Sequence, residues 1–247
     1  MLTSRWLKGA ICRSISLIAL LCAVISSWTT VASCQNSQRR SSTFSATSVA
    51  GLELLNGQGE IVSYRGRSAV HLIPSPKHQG PEDSVIAILR DSDFGEGSIE
   101  AVVAGVPRKD APADSRGFIG ISFHVQRHAS QFENIYLRPT NGRAEDQLRR
   151  NHSVQYTSEP EFPWFRLRKE NPGEYEAYVD LEAGAWTTMK IVVSGTVARL
   201  YINGATQPCL IVNGLKLGSE RGQVALWAHS STDAYFSELR ISPARSR

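Results

Sequence analysis

From Gly51 onward apolar and polar residues alternate with a period of two, broken by Gly, Pro or Asn roughly every eight to twelve residues. Successive Cβ atoms of a strand point to opposite sides, so this alternation marks strands with one face buried and one face wet. It predicts strands over 84–90, 97–105, 117–126, 132–139, 175–181, 186–195, 196–204, 208–213, 222–228 and 234–242. Asn203 and Gly204 end "LYING" as a hairpin pair, because both tolerate positive φ. Helical periodicity never lasts beyond about two turns. "GRAEDQLRRN" and "PWFRLRKEN" each read as a short helical turn, with Pro163 suited to a first helical position. The pattern predicts an all-β, two-sheet antiparallel jelly-roll sandwich over residues 50–243.

Alternation also sorts faces. In "GFIGISFHVQ" it sends Ile119, Ile121, Phe123 and Val125 inward and leaves Ser122, His124 and Gln126 outside. In "FENIYLRP" Glu133, Ile135 and Leu137 point inward, against Asn134, Tyr136 and Arg138. In "GEYEAYVDL" Tyr175, Ala177 and Val179 oppose Glu174, Glu176, Tyr178 and Asp180. The three outer faces together carry His, Asn, Tyr, Arg and Glu. One reading is simple solvation of an exposed sheet face; the other is a binding face. The stretch "HSVQYTSEPEFPWFRLRKENPGEYE" interrupts the strand pattern within a 139–173 loop insertion, which either caps the fold or walls a site.

The first residues follow another pattern. "MLTSRWLKGAICR" is basic without an acid, and "ISLIALLCAVI" is apolar but shorter than the roughly 20 residues of a membrane span. Small residues follow, so residues 1–33 read as an export signal. "VASC" fits ordinary signal-peptidase cleavage before Cys34 and equally a bacterial lipobox in which Cys34 becomes lipidated. Residues 34–49, rich in Ser and Thr, read as a flexible tether. The protein is therefore expected in the periplasm or cell envelope, touching membrane only through a lipid on Cys34. Of the 27 Lys and Arg, three lie in the signal, leaving 24 against 23 acids. That near-neutral balance gives no argument for nucleic acid. Cys209 remains as a lone thiol or a partner for Cys34, and "PCLIVN" makes it a small buried hydrophobe.

Several chemistries lack their motifs. The chain has no HExxH or CxxC for zinc, no GxSxG elbow and no phosphate-cradling P-loop. "DSDFGEG" (91–97) falls short of a calcium loop and reads as a turn into the next strand; no cofactor is expected, with a structural calcium here as the alternative. Sugars offer apolar C–H faces to aromatic rings and hydroxyls to Arg, Asn, Gln and carboxylates. Asn134, Tyr136, Arg138, Gln155, Tyr156 and Trp164 supply that inventory as candidate ligand-binding residues, and the expected partner is a carbohydrate or glycoside. A glycoside hydrolase would add a pair of carboxylates across the sugar. Glu176 and Glu133 are the pair available, but alternation buries Glu133, which then needs a partner or a raised pKa.

"WTTMKIVVSGTVARLYINGA" and "RGQVALWAHSSTDAYFSELRIS" resemble the C-terminal half of concanavalin A-like, laminin-G-like jelly rolls. Over about residues 50–242 the chain is most similar to bacterial exported domains of the 3-keto-disaccharide hydrolase or family-16 glycoside-hydrolase-like type. The E-x-D-x-(x)-E run of family-16 hydrolases is absent. The resemblance implies a jelly-roll fold and leaves three functions open. These are glycan recognition, a 3-keto-glycoside hydrolase or lyase using Glu176 or His124 as base, and a cell-envelope interaction module.

Overall fold

Among the residues that the computed structural model describes, 41–78 and 83–244, fifteen strands carry the alternation into two antiparallel sheets. In chain order they are β1 (Ser42–Ser45), β2 (Leu52–Leu55), β3 (Gly57–Tyr64), β4 (Arg67–Pro74), β5 (Ser84–Leu89) and β6 (Gly97–Pro107). β7 (Ile119–Val125), β8 (Phe132–Leu137), β9 (Val154–Glu159) and β10 (Glu176–Ala177) follow. β11 (Thr187–Ser194), β12 (Val197–Ile202), β13 (Leu210–Asn213), β14 (Gln223–His229) and β15 (Thr232–Pro243) complete the set. One sheet runs β13-β12-β11-β6-β15-β4-β3, with β1 also on β15; the other runs β10-β9-β8-β7-β14-β5-β2. The expected two-sheet jelly roll is what forms.

Between the sheets lies the main core, where Val70, Leu72, Ile99, Val103, Met189 and Ile191 face Val85, Ile119, Ile121, Phe123, Ile135 and Leu226. A second, smaller apolar cluster lies on the other side of the seven-stranded sheet: Ile86, Ile88, Val125, Phe132, Tyr136, Ala225 and Trp227. After Ser84, β5 is apolar from Val85 to Leu89 because both of its faces are covered, an unusual state for an antiparallel strand.

Four expectations change. Residues 42–45, expected within the tether, form β1, since Ser42–Ser45 pair with Ile241–Glu238 of β15 and Ala46 is buried. The 139–173 segment is no single loop, because β9 lies within it as a full strand between β8 and β10. The strand expected over 175–181 contracts to Glu176–Ala177. Asn203 and Gly204 do take positive φ, 51° and 74°, but open a longer connection to β13 than a two-residue turn. The two helical turns appear as α1 (Gln147–Asn151), capped by Asp146 on Arg149 N–H, and α2 (Trp164–Glu170), entered through Pro163. "DSDFGEG" is a turn into β6, with Asp93 2.8 Å from Arg221. Cys209 is a free, half-buried thiol whose pKa burial pushes up to about 11. Residues 1–33 and Cys34 lie outside the described residues, and none of the described helices is long and apolar enough to cross a membrane.

Candidate functional site

One register row crosses the outer face of the seven-stranded sheet: Leu55, Ile86, Trp227, Gly120, Tyr136, Gln155 and Glu176. Its middle member has no side chain for a steric reason. A Cβ on Gly120 would stand 2.4 Å from the Ile135 carbonyl oxygen and 2.6 Å from Tyr136 Cα. Without it, the Tyr136 and Trp227 rings close over the strand with centroids 4.9 Å apart, and Phe118 packs edge-on to Tyr136 at 6.1 Å. These rings floor a groove of about 1120 Å³. One wall is the loop after β6, with Ser115 and Arg116. The other comes from the two pieces of the 139–173 segment, with Asn141, Arg149, His152, Trp164 and Arg168.

The wall is anchored by a buried charge network. Arg138 donates through Nη1 to Glu176 at 3.1 Å, and through Nη2 to the Tyr136 hydroxyl at 3.0 Å and Gln155 Oε1 at 3.1 Å. Arg168 donates to both Glu176 oxygens, with Nε at 3.0 Å. His152 Nδ1 stands 2.9 Å from Glu176 Oε2. Burial pushes the Glu176 pKa up, but Arg168 and Arg138 outweigh it, so the carboxyl stays below the usual carboxylate range. Burial also pushes His152 down, against the pull of Glu176. On α2, Arg168 follows Trp164 by one turn and lies over its ring at 4.7 Å.

The predicted site residues therefore divide. Tyr136, Arg138 and Trp164 line the groove. Gln155 and Glu176 come to them as expected, but as the buried support beneath Arg138. Glu176 is thus an ion-paired anchor with a lowered pKa, poorly suited to take a proton. Asn134 sits one register step away, buried, accepting from Ser122 Oγ at 3.3 Å.

Two candidates belong to the core. Gln223 pairs with Val125 while Ala225 pairs with Ser122, so β7 carries an extra residue, and His124 takes φ 51° at this bulge. Parity flips there: Val125 joins the outer cluster, and His124 packs against Phe94 and Phe123 with Nε2 2.8 Å from the Gly95 carbonyl. Burial pushes its pKa down. Tyr156 opposes Ile135 on the inner face, fully buried, and donates to Glu133 at 2.6 Å. Glu133 is inward as predicted, with Tyr156 and the Leu217 N–H as partners and a pKa raised by burial.

Trp227, Phe118, Arg116 and Arg149 escaped the sequence reading. Alternation in "VALWAH" did hold the Trp227 signal, since Val224, Leu226 and Ala228 inward leave Trp227 outward in mid-strand. Trp227 is 7 % exposed, and among the described residues its Nε1–H has no acceptor.

The chain matches no protein-family model and no curated protein. Solved structures do resemble it. A Bacillus subtilis protein of unknown function with a galectin-like fold gives a TM-score of 0.57 at 12% identity, over 85% of this chain and 99% of its own. The carbohydrate binding module CBM66 from Bacillus subtilis gives 0.51 at 12%, over 78% and 96%. A native glycosidic hydrolase gives 0.52 at 12%, over 82% and 95%. At such identity the likeness shows the fold alone, a two-sheet antiparallel jelly roll. That fold serves binding modules and hydrolases both.

Proposed function

We propose that this jelly roll binds a glycan in the groove over Trp227 and Tyr136. The observation that carries the reading is the floor of aromatic rings, with Trp227 and Tyr136 4.9 Å apart and Phe118 edge-on at 6.1 Å, beneath a wall of guanidiniums. Ring faces for C–H stacking and guanidinium donors on the wall match the two chemistries of a sugar. A volume of about 1120 Å³ is at the upper end for small-molecule sites and gives room for several linked rings. The shared fold of a carbohydrate-binding module agrees with this reading.

The hydrolase reading has less support: Glu176 is ion-paired and His124 is in the core, while among the described residues Asp83, Asp114 and Glu159 are the carboxylates that line the groove. Binding is tested by affinity electrophoresis of the wild-type chain and Trp227→Ala against neutral and acidic polysaccharides. Retardation of the wild type by at least one polymer, with about tenfold weaker binding in Trp227→Ala, is expected. No retardation by any polymer, or equal retardation of both proteins, overturns the proposal.

A further inference from the structure

We infer that the groove takes an acidic glycan, with a sugar carboxylate or sulfate ester seated between Arg116 and Arg149. The inference rests on the glycan reading above and adds the class of ligand.

Four guanidiniums line the groove where the β6–β7 loop meets the 139–173 segment: Arg116, Arg138, Arg149 and Arg168. Two are already matched, since Arg138 and Arg168 share Glu176. The other two have no carboxylate within ion-pair distance among the described residues. Arg116 is held in place through Nη1 by the carbonyls of Ala113 and Ser115 at 3.1 and 3.0 Å. Among the described residues the Arg149 guanidinium donates to the Asn141 amide oxygen, at 3.5 Å, and its buried Nε has no partner. Asp114 is the acid near Arg116, and Glu159 lies at the far end of β9, opposite Phe132. Positive charge is therefore in excess at this end.

Burial lowers the Arg116 pKa, and the neighbouring charges of Arg149 and Arg138 lower it further, against the pull of Asp114. Like charges crowded at a half-buried site are relieved by an anion between them. A planar fork pairs with carboxylate or sulfate oxygens through parallel N–H bonds, which a hydroxyl cannot match. The global charge cannot supply this attraction, because the chain after residue 33 holds 24 basic and 23 acidic residues.

The test is calorimetric titration of the wild-type chain with polygalacturonate, its carboxyl-reduced form, dextran sulfate and dextran. The variants are Arg116→Gln, Arg149→Gln and, as a charge control on the other sheet, Arg240→Gln. Either acidic polymer is expected to bind at least tenfold tighter than its neutral counterpart. Arg116→Gln and Arg149→Gln should each remove most of that preference, and Arg240→Gln should leave it intact. Preference for polygalacturonate identifies a carboxylate, and preference for dextran sulfate a sulfate ester; either supports the inference. Equal binding of acidic and neutral polymers, with Trp227→Ala still weakening both, overturns the acidic class and leaves the groove standing. A preference that Arg240→Gln reduces as much as Arg149→Gln is diffuse charge, and also overturns it. Silence from every polymer overturns the glycan reading itself.

Discussion

At the scale of single residues, Glu176 shows how a side chain expected on an outer face can sit there as a buried, ion-paired anchor. Alternation put it beside Tyr136, Arg138 and Gln155, and the register row confirms the neighbourhood. Alternation could not show that its side chain, 3 % exposed, is enclosed by two guanidiniums and His152. Removing one partner of a buried pair leaves an uncompensated charge, at a cost of roughly 3–5 kcal/mol. Glu176→Gln should thus lower the denaturant midpoint strongly at neutral pH, even though the substitution is nearly isosteric. The pH dependence follows from the lowered pKa. The contribution of Glu176 is complete above its unfolded value of 4.5 and disappears as pH falls through the lower folded value. The stability gap between wild type and Glu176→Gln, followed by urea titration from pH 7 to pH 3, should therefore close only below about pH 4.5. A gap that is already closed at pH 7 would show that the network carries no stability. Glu133 acts in the opposite sense, because its raised pKa makes the folded state favour the protonated form.

Elements explain which parts of the sandwich could be read in advance. β5, β6, β11 and β14 matched their expected spans to within a few residues, β5 as a short apolar run and the others through an aliphatic face set against a different one. β9 went unread because Val154, Tyr156 and Ser158 inward against Gln155 and Thr157 outward offer little hydrophobic contrast. The excess length at 175–181 has the opposite cause: alternation reports a buried face, not a ladder partner, and β10 is the edge strand. The bulge at His124 is a one-residue insertion, which reverses parity without any composition signal. For the 139–173 segment, expected as cap or wall, α2 has a part in each geometry: Leu167 is fully buried in the main core while Trp164 and Arg168 present the same helix side to the groove. Leu167→Ala should destabilise by about 2–5 kcal/mol. Trp164→Ala, at a half-buried position, should shift the melting temperature little and weaken polysaccharide retardation. Thermal melts and affinity electrophoresis on both variants check this, and a Trp164→Ala protein with full binding would make α2 a cap alone.

For the whole molecule, the two sheets divide the labour: the seven-stranded sheet bears the groove, and the eight-stranded sheet closes the core behind it. Stability and binding should therefore separate wherever a change is confined to the second sheet, and β1 provides the case. The alternation begins clearly only at Gly51, and a Ser-rich strand such as "STFS" has almost no apolar face to announce it. Its place is nonetheless defined. β4 pairs with β15 at Ala234–Phe236, and β1 continues alongside β15 from Glu238 to Ile241. Ala46 then turns into the core, its N–H donating to the Ser237 carbonyl at 3.2 Å and its carbonyl accepting from Ser68 Oγ. Cutting the chain at residue 50, the boundary that alternation suggests, removes these bonds and uncovers that stretch of β15. Each lost hydrogen bond is worth about 0.5–1.5 kcal/mol net, and the entropy recovered by the freed residues offsets part of the loss, so a fall on the order of 1–3 kcal/mol is expected. Guanidinium unfolding of chains 34–247 and 50–247 measures it directly. The shorter chain should unfold at lower denaturant yet, at a temperature where both are folded, retain the same polysaccharide affinity. Coincident unfolding curves would mean that β1 adds nothing to the sandwich. A loss of affinity in the folded short chain would mean that the groove depends on the far sheet, contrary to the division of labour drawn from the strand order.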